Sequence, residues 1–190
     1  PIHAVLGYSD LLEKAGPLND MQKDFVERLK RASSQMYELV LNLLELARTD
    51  LDTSLKAEPY DLKDLLSSVT HEFQAQSAAK GHELSFETPD GRPQVKVDLP
   101  RIRQVLQNLV GNAIKYTPQD GEIHITTEKE NGMIWIRVQD SGLGIPENDL
   151  PYIFEKFYRV EADDRADIQG NGLGLAIVKA IVEQHGGEIK

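Results

Sequence analysis

Apolar residues recur along this chain in two rhythms, first at helical spacing and then, past residue 80, in alternation with polar ones. Ile2, Val5, Leu6 and Leu12 share one side of a helix that Ala15-Gly16-Pro17 brings to a stop, because Gly and Pro cannot comfortably continue it. Asn19 has the character of an N-cap, with Gln22 in capping-box position, and opens a long second helix. Along that helix Phe25, Leu29, Ala32, Met36, Leu39, Leu43 and Leu46 are spaced 4, 3, 4, 3, 4 and 3, a heptad seam. Two helices cannot bury such a seam by themselves, so residues 1–50 predict a helical hairpin that a second copy completes to a four-helix bundle. Docking of the seam on the rest of the chain is the other way to cover it. Residues 51–59, rich in charge and small side chains, read as a connector whose Pro59 halts any helix reaching it.

From Tyr60 to Lys190 the pattern predicts a second module. Asp61 can cap a helix with Leu62, Leu65, Leu66, Val69 and Phe73 on its apolar face, ending before Gly81. Glu83–Thr88 and Gln94–Asp98 alternate as strands on either side of an Asp90-Gly91-Arg92-Pro93 turn. A helix follows from Arg101 to about Tyr116, with Ile102, Val105, Leu106, Leu109 and Ala113 on its core side. Two further strands, Glu122–Thr127 and Met133–Gln139, join through Asn131-Gly132, a tight-hairpin signal. A short aromatic helix is expected over Phe154–Arg159, a mobile polar stretch from Val160 to Gln169, and a final helix over Leu173–His185 that stops at Gly186-Gly187. The fold class is α+β: a helical hairpin followed by a two-layer α/β sandwich whose sheet is largely antiparallel.

Charge narrows what such a module can bind. With 31 acidic and 21 basic residues the net charge is −10, which disfavours nucleic acid or an anionic membrane as the main partner. A polyanion would need a metal cation to mediate. There is no cysteine, so thiolate chemistry and disulfides are excluded. No apolar run approaches the roughly 18 residues of a membrane span, and membrane attachment would come only through segments outside this chain.

Three stretches carry candidate chemistry. The helix from Arg101 sets Arg101, Gln104, Asn108, Asn112 and Lys115 in one stripe, where an ordinary solvated face would carry Glu and Lys. Asp140 leaves the last strand before Gly142 and Gly144, an acceptor beside a backbone that can pass close to a flat ring. Gly170, Gly172 and Gly174 run into a helix, whose N–H groups suit phosphate. Each signal alone is also what a turn or a hinge would show; in this order, behind an Asn-rich helix, they point to one site. His71, His82, His124 and His185 have no motif context and read as surface or capping residues.

The series Asn108-Leu-Val-Gly-Asn112-Ala-Ile-Lys115-Tyr116, Asp140-Ser-Gly-Leu-Gly144, Phe154-x-x-Phe157-Tyr-Arg159 and Gly170-x-Gly172-Leu-Gly174-Leu175 resembles the N, G1, F and G2 boxes of bacterial sensor histidine kinases. The resemblance spans nearly the whole chain. It implies a dimerisation and phosphotransfer hairpin over 1–50, a connector over 51–59, and over 60–190 a catalytic domain of the gyrase, chaperone and mismatch-repair ATPase type, its last strand truncated. It further implies that Asn112 ligates Mg²⁺, that Lys115 and Tyr116 reach phosphate or ribose, and that Asp140 accepts from the adenine amine. Gly142, Gly144 and Ile145 would shape the ring slot, and Arg159, beside Phe157, would contact the γ-phosphate. Gly170, Gly172, Leu173, Gly174 and Leu175 would close over ATP; Asn108 belongs to the same binding set, and Asn171 stands where the family often has a hydroxyl. Lys115 and Arg159 are the residues expected to serve catalysis.

Pro1 matches the last residue of the family's phosphoacceptor box, so the accepting histidine is expected ahead of this chain. His3 is followed by Ala4-Val5 where an acid belongs, and does not replace it. The expected protein is a cytoplasmic, homodimeric histidine kinase core that passes its phosphoryl group to the aspartate of a response regulator. The alternatives are an ATPase or serine kinase of the same superfamily, or a non-catalytic nucleotide-binding dimerisation module.

Overall fold

A computed structural model describes residues 2–51, 55–89, 93–160, 168 and 170–190, with backbone alone for 48–51. Pro1, the connector residues 52–54, the expected turn residues 90–92 and most of the expected mobile stretch, 161–167 and 169, lie outside the described residues. The chain forms two compact units, Pro1–Asp50 and Leu51–Lys190.

The first unit is the expected hairpin of α1 (Ile2–Lys14) and α2 (Asp20–Leu51). Its entry is a capping box: Asn19 Oδ1 accepts the Gln22 N–H at 2.9 Å while Gln22 Oε1 accepts the Asn19 N–H at 3.0 Å. The two helices are tied by Lys30, whose ammonium lies 2.7 Å from both Asp10 and Glu13, and by the His3 ring set edge-on to Tyr37. Val26 and Ser33 on α2 and Ser9 on α1 are buried, so the hairpin closes on a stripe beside the heptad seam. Of the seam, Phe25, Leu29, Met36 and Leu43 keep between 40% and 60% of their surface exposed, and Leu46 is buried.

The second unit is a two-layer sandwich. Its elements are β1 (Glu58–Asp61), α3 (Leu62–Ala79), β2 (Glu83–Glu87), β3 (Gln94–Val97), α4 (Leu99–Tyr116), β4 (Glu122–Glu130), β5 (Met133–Asp140), a 3₁₀ turn at Leu150–Tyr152 and α5 (Gly174–Gln184). Asp61 caps α3, accepting from the Lys63 and Asp64 N–H groups, and Asn131 and Gly132 turn the β4–β5 hairpin at φ 51° and 82°. The core joins Leu62, Leu65, Leu66 and Val69 of α3 to Leu106, Val110, Ala113 and Ile114 of α4 over Ile123 and Ile125 of β4.

Four expectations are corrected. The sheet is mixed: β4 pairs antiparallel with β5 but parallel with β2, because the path from β2 to β4 crosses over through α4. Glu58 and Pro59, expected in the connector, open β1, which pairs with β3 in a separate two-stranded sheet and tolerates its proline as an edge strand. α4 starts at Leu99 on the N-cap Asp98, two residues before Arg101, and its innermost positions are Leu106, Val110 and Ile114, with Leu109 half-buried. Residues 154–157 form turns and 158–159 are irregular rather than helical: Phe157 sits at φ 67°, which no right-handed helix admits.

Candidate nucleotide site

The polar stripe of α4 is where the functional residues gather. Arg101, Gln104, Asn108, Asn112 and Lys115 are all half-buried, so this is a covered surface rather than a solvated face. At one end Gly174, the first residue of α5, lies so close that a side-chain carbon there would sit 3.1 Å from Asn108 Oδ1. Two turns along, a carbon on Gly170 would meet Lys115 Nζ at 2.5 Å. Asn112 lies between these two contacts on the same face, and among the described residues its carboxamide has no hydrogen-bond partner. A half-buried carboxamide with no protein partner leaves its oxygen available to a guest.

The C-terminal turn of α4 meets the loop after β5. Tyr116 carbonyl accepts the Leu143 N–H at 3.2 Å, and a carbon on Gly142 would stand 2.7 Å from that same carbonyl, so only glycine fits. Asp140 turns its Oδ1 onto the Gly142 N–H at 2.9 Å, which holds the loop while the exposed carboxylate keeps further acceptor capacity. Gly144 (φ 65°) has open space about its α-carbon and Ile145 is exposed.

A third contact joins the segment at 157–159 to the glycines. Phe157 N–H donates to the Gly172 carbonyl at 2.9 Å, and Gly172 (φ 68°) packs on the backbone of Phe157 and Tyr158. Arg159 Nη2 donates to the Ile168 carbonyl at 2.7 Å, a tie within this segment. Asn171 accepts the Leu173 N–H at 3.1 Å; the Leu173 side chain is fully buried and Leu175 is half-buried. α5 begins with no side-chain cap, leaving its first N–H groups for a guest.

At the C-terminal end of α4 lies a cleft of about 460 Å³ lined by Lys80, Lys115, Tyr116, Thr117, Leu143 and Ile168 among others, within the range of small-molecule sites; of the expected site residues it takes in Lys115 and Tyr116, while Asn108, Asn112, Asp140 and the glycines from Gly170 to Gly174 lie outside its lining. Lys80 was missed in the sequence. Its ammonium donates to the Ile114 carbonyl at 2.8 Å and the Lys115 carbonyl at 3.4 Å, capping the negative end of α4. No motif marks it. Thr117 Oγ1 is buried behind the cleft wall with no partner among the described residues. Leu143 lies inside the Asp140–Gly144 motif and could have been read from it. The Tyr158 hydroxyl donates to Asp149, and that bond holds the phenol proton, with the pKa pushed up to about 12.

A metal would have to be held in company with a ligand's own oxygens. No group of three His, Cys, Asp or Glu residues among the described ones is arranged to bind an ion. The unbonded Asn112 carboxamide, two lysines and glycines that admit no side chain fit a magnesium–polyphosphate guest, since Mg²⁺ keeps few protein ligands.

The chain is thus a helical hairpin followed in sequence by a two-layer α/β sandwich that carries a candidate nucleotide site. Residues 97–190 match the family described as histidine kinase-, DNA gyrase B-, and HSP90-like ATPase, and residues 1–52 match the His Kinase A (phospho-acceptor) domain. The sensor histidine kinase WalK of Bacillus subtilis is 32% identical over all of this chain and 31% of its own length. The chain is also similar to full-length ShkA crystallised with AMPPNP (30% identity, TM-score 0.77, 98% of this chain and 38% of that one). ThkA aligns as its catalytic domain (34%, TM-score 0.60, 67% of this chain and 80% of that one) and in complex with the response regulator TrrA (27%, TM-score 0.72, 98% and 52%). The chain belongs to the sensor histidine kinases. It spans only about a third of the length of relatives such as WalK.

Proposed function

We propose that residues 51–190 bind Mg·ATP along the α4 stripe and that the longer protein phosphorylates a histidine ahead of Pro1. The observation that carries this reading is the half-buried stripe itself, with Gly174 pressed on Asn108, Gly170 on Lys115, and the unbonded Asn112 carboxamide between them.

In this reading Asn112 Oδ1 ligates Mg²⁺, while Lys115, Tyr116 and the open start of α5 take phosphate and ribose. Asp140 accepts from the adenine amine in a slot bounded by Gly142, Gly144 and Ile145. Arg159 exchanges the Ile168 carbonyl for the γ-phosphate, and Gly170, Gly172 and Gly174 let backbone close over the nucleotide. Bound Mg²⁺ offsets the nucleotide's negative charge in a chain of net charge −10. An imidazole nitrogen then attacks the γ-phosphorus as its bond to the β-bridging oxygen breaks, and that oxygen leaves with ADP. Positioning and charge stabilisation supply the rate, as in phosphoryl transfer generally.

The exposed seam of the hairpin suits a second copy, giving a homodimeric four-helix bundle through residues 1–50. A response-regulator aspartate is the next acceptor, supported by the ThkA–TrrA complex. No helix among the described residues is long and apolar enough to cross a membrane. A cytoplasmic location is part of this proposal on other grounds, since the reaction draws on ATP and a response regulator. Titration with a fluorescent ATP analogue in Mg²⁺ tests the proposal. Binding should be saturable, reversed by EDTA and abolished in Asn112→Ala; binding that ignores both would overturn it.

A further inference from the structure

His185 has no place in the motifs described above, yet both its ring nitrogens are used. Asp98 N–H donates to Nε2 at 3.1 Å, and Nδ1 lies 2.8 Å from the Ile181 carbonyl. An N–H can only donate and a carbonyl can only accept, so the ring must be neutral, with its proton on Nδ1 and a lone pair on Nε2. The two partners lie on different elements: Ile181 is on α5, and Asp98 is the N-cap of α4.

Asp98 is a junction in its own right. Its Oδ1 accepts the Arg101 N–H at 3.4 Å and its Oδ2 accepts the Lys56 N–H at 3.1 Å. Its own N–H belongs to no helix or strand ladder, and His185 is its acceptor. Take the ring away and a half-buried donor is left without a partner.

The consequence for the site follows from the direction of α5. That helix runs antiparallel to α4, its last turn at Asp98 and its first residue, Gly174, at Asn108. Eleven residues make it a lever about 16 Å long. At the near end a side-chain carbon would lie only 3.1 Å from Asn108, so a slide or tilt of α5 is felt there at once. The uncapped start of α5 and the glycines before it reach the α4 stripe only in the right register.

We propose that His185 is a positioning residue for nucleotide binding: as the Nδ1-protonated tautomer it locks the far end of α5 to the N-cap of α4, and so sets where α5 presents its N-terminus beside Asn112. This rests on the nucleotide-binding reading above.

The test uses the 190-residue chain and the fluorescent ATP analogue in Mg²⁺, well below each variant's melting temperature. His185→Leu fills the space without an acceptor and should raise Kd about tenfold. His185→Gln, whose Oε1 can reach the place of Nε2, should return it to within about threefold of the unaltered chain. A role in stability alone would lower the melting temperature and leave Kd unmoved. Two measurements need no variant. Long-range ¹H–¹⁵N spectra should show the Nδ1-protonated ring, and by reciprocity of coupling nucleotide should slow exchange of the Asp98 amide. A folded His185→Leu that binds as tightly as the unaltered chain, a Gln variant as weak as Leu, an Nε2-protonated ring, or an Asp98 amide indifferent to nucleotide would each overturn the inference. Failure of the unaltered chain to bind nucleotide would instead overturn the reading beneath it.

Discussion

Replacing Gly172 with alanine attacks the junction between the glycine segment and Phe157 at its tightest point. Gly172 sits at φ 68°, where an alanine costs about 1–2 kcal/mol. The new carbon would also stand 2.7 Å from the Phe157 carbonyl carbon, 2.7 Å from the Tyr158 oxygen and 2.9 Å from the Phe157 α-carbon, all backbone atoms that no rotamer change can move aside. Relieving the clash means drawing the two segments apart and stretching the 2.9 Å bond from Phe157 N–H to the Gly172 carbonyl, an overpacking cost of about 1–3 kcal/mol. Phe157 is itself held at φ 67° and regains some of that energy on release, so a net loss of about 2–3 kcal/mol is expected. At 1.4 kcal/mol per decade this shifts the junction toward its open form about 30- to 150-fold. Nucleotide titration in Mg²⁺ should therefore show Kd raised at least tenfold. Gly132→Ala is the matched control: its φ is 82° but nothing lies within 4 Å, so it should cost hairpin stability and leave Kd alone. A folded Gly172→Ala whose Kd stays within twofold of the parent would refute the idea that this junction shapes the site.

Two further outcomes follow from side chains at the rim. Lys80→Met keeps the aliphatic stem and removes the charge that caps the Ile114 and Lys115 carbonyls; with the group half-buried, about 1 kcal/mol is lost, lowering the sandwich's melting temperature by about 2–4 °C and weakening nucleotide several-fold. An unchanged calorimetric transition would count against the cap. Tyr158 should ionise well above the ordinary tyrosine value, because Asp149 holds its pKa at about 12 rather than 10. A raised pKa stabilises the fold fully below pH 10, and that contribution fades as pH climbs from 10 toward 12. Ultraviolet titration of Asp149→Ala against the parent should gain one phenolate between those values; identical curves would show that the bond does not hold the proton.

The local elements were legible from sequence because short-range rules govern them. Asn19 with Gln22, Asp61 before Leu62, and Asn131-Gly132 each satisfy or orient backbone within four residues, and they behave alike in sequence and structure. The order of the Asn108–Tyr116, Asp140–Gly144 and Gly170–Leu175 motifs likewise identified the family without coordinates. Contacts between segments distant in sequence could not be read this way. The parallel pairing of β2 with β4 and the pairing of β1 with β3 depend on a crossover through α4, and strand alternation is the same for either direction of neighbour. The bend at Phe157 exists because Gly172 packs beneath it, fifteen residues away, while its own aromatic spacing reads as helix. Lys80 and His185 look like ordinary surface residues until α4 is laid beside them, since a hydrogen-bond donor or acceptor acquires a role only from the partner that folding brings within 3 Å or so. The amino-acid sequence by itself determined which elements form and which chemistry they carry; tertiary structure decided which faces are covered, because burial is a property of pairs of segments and no single segment contains it.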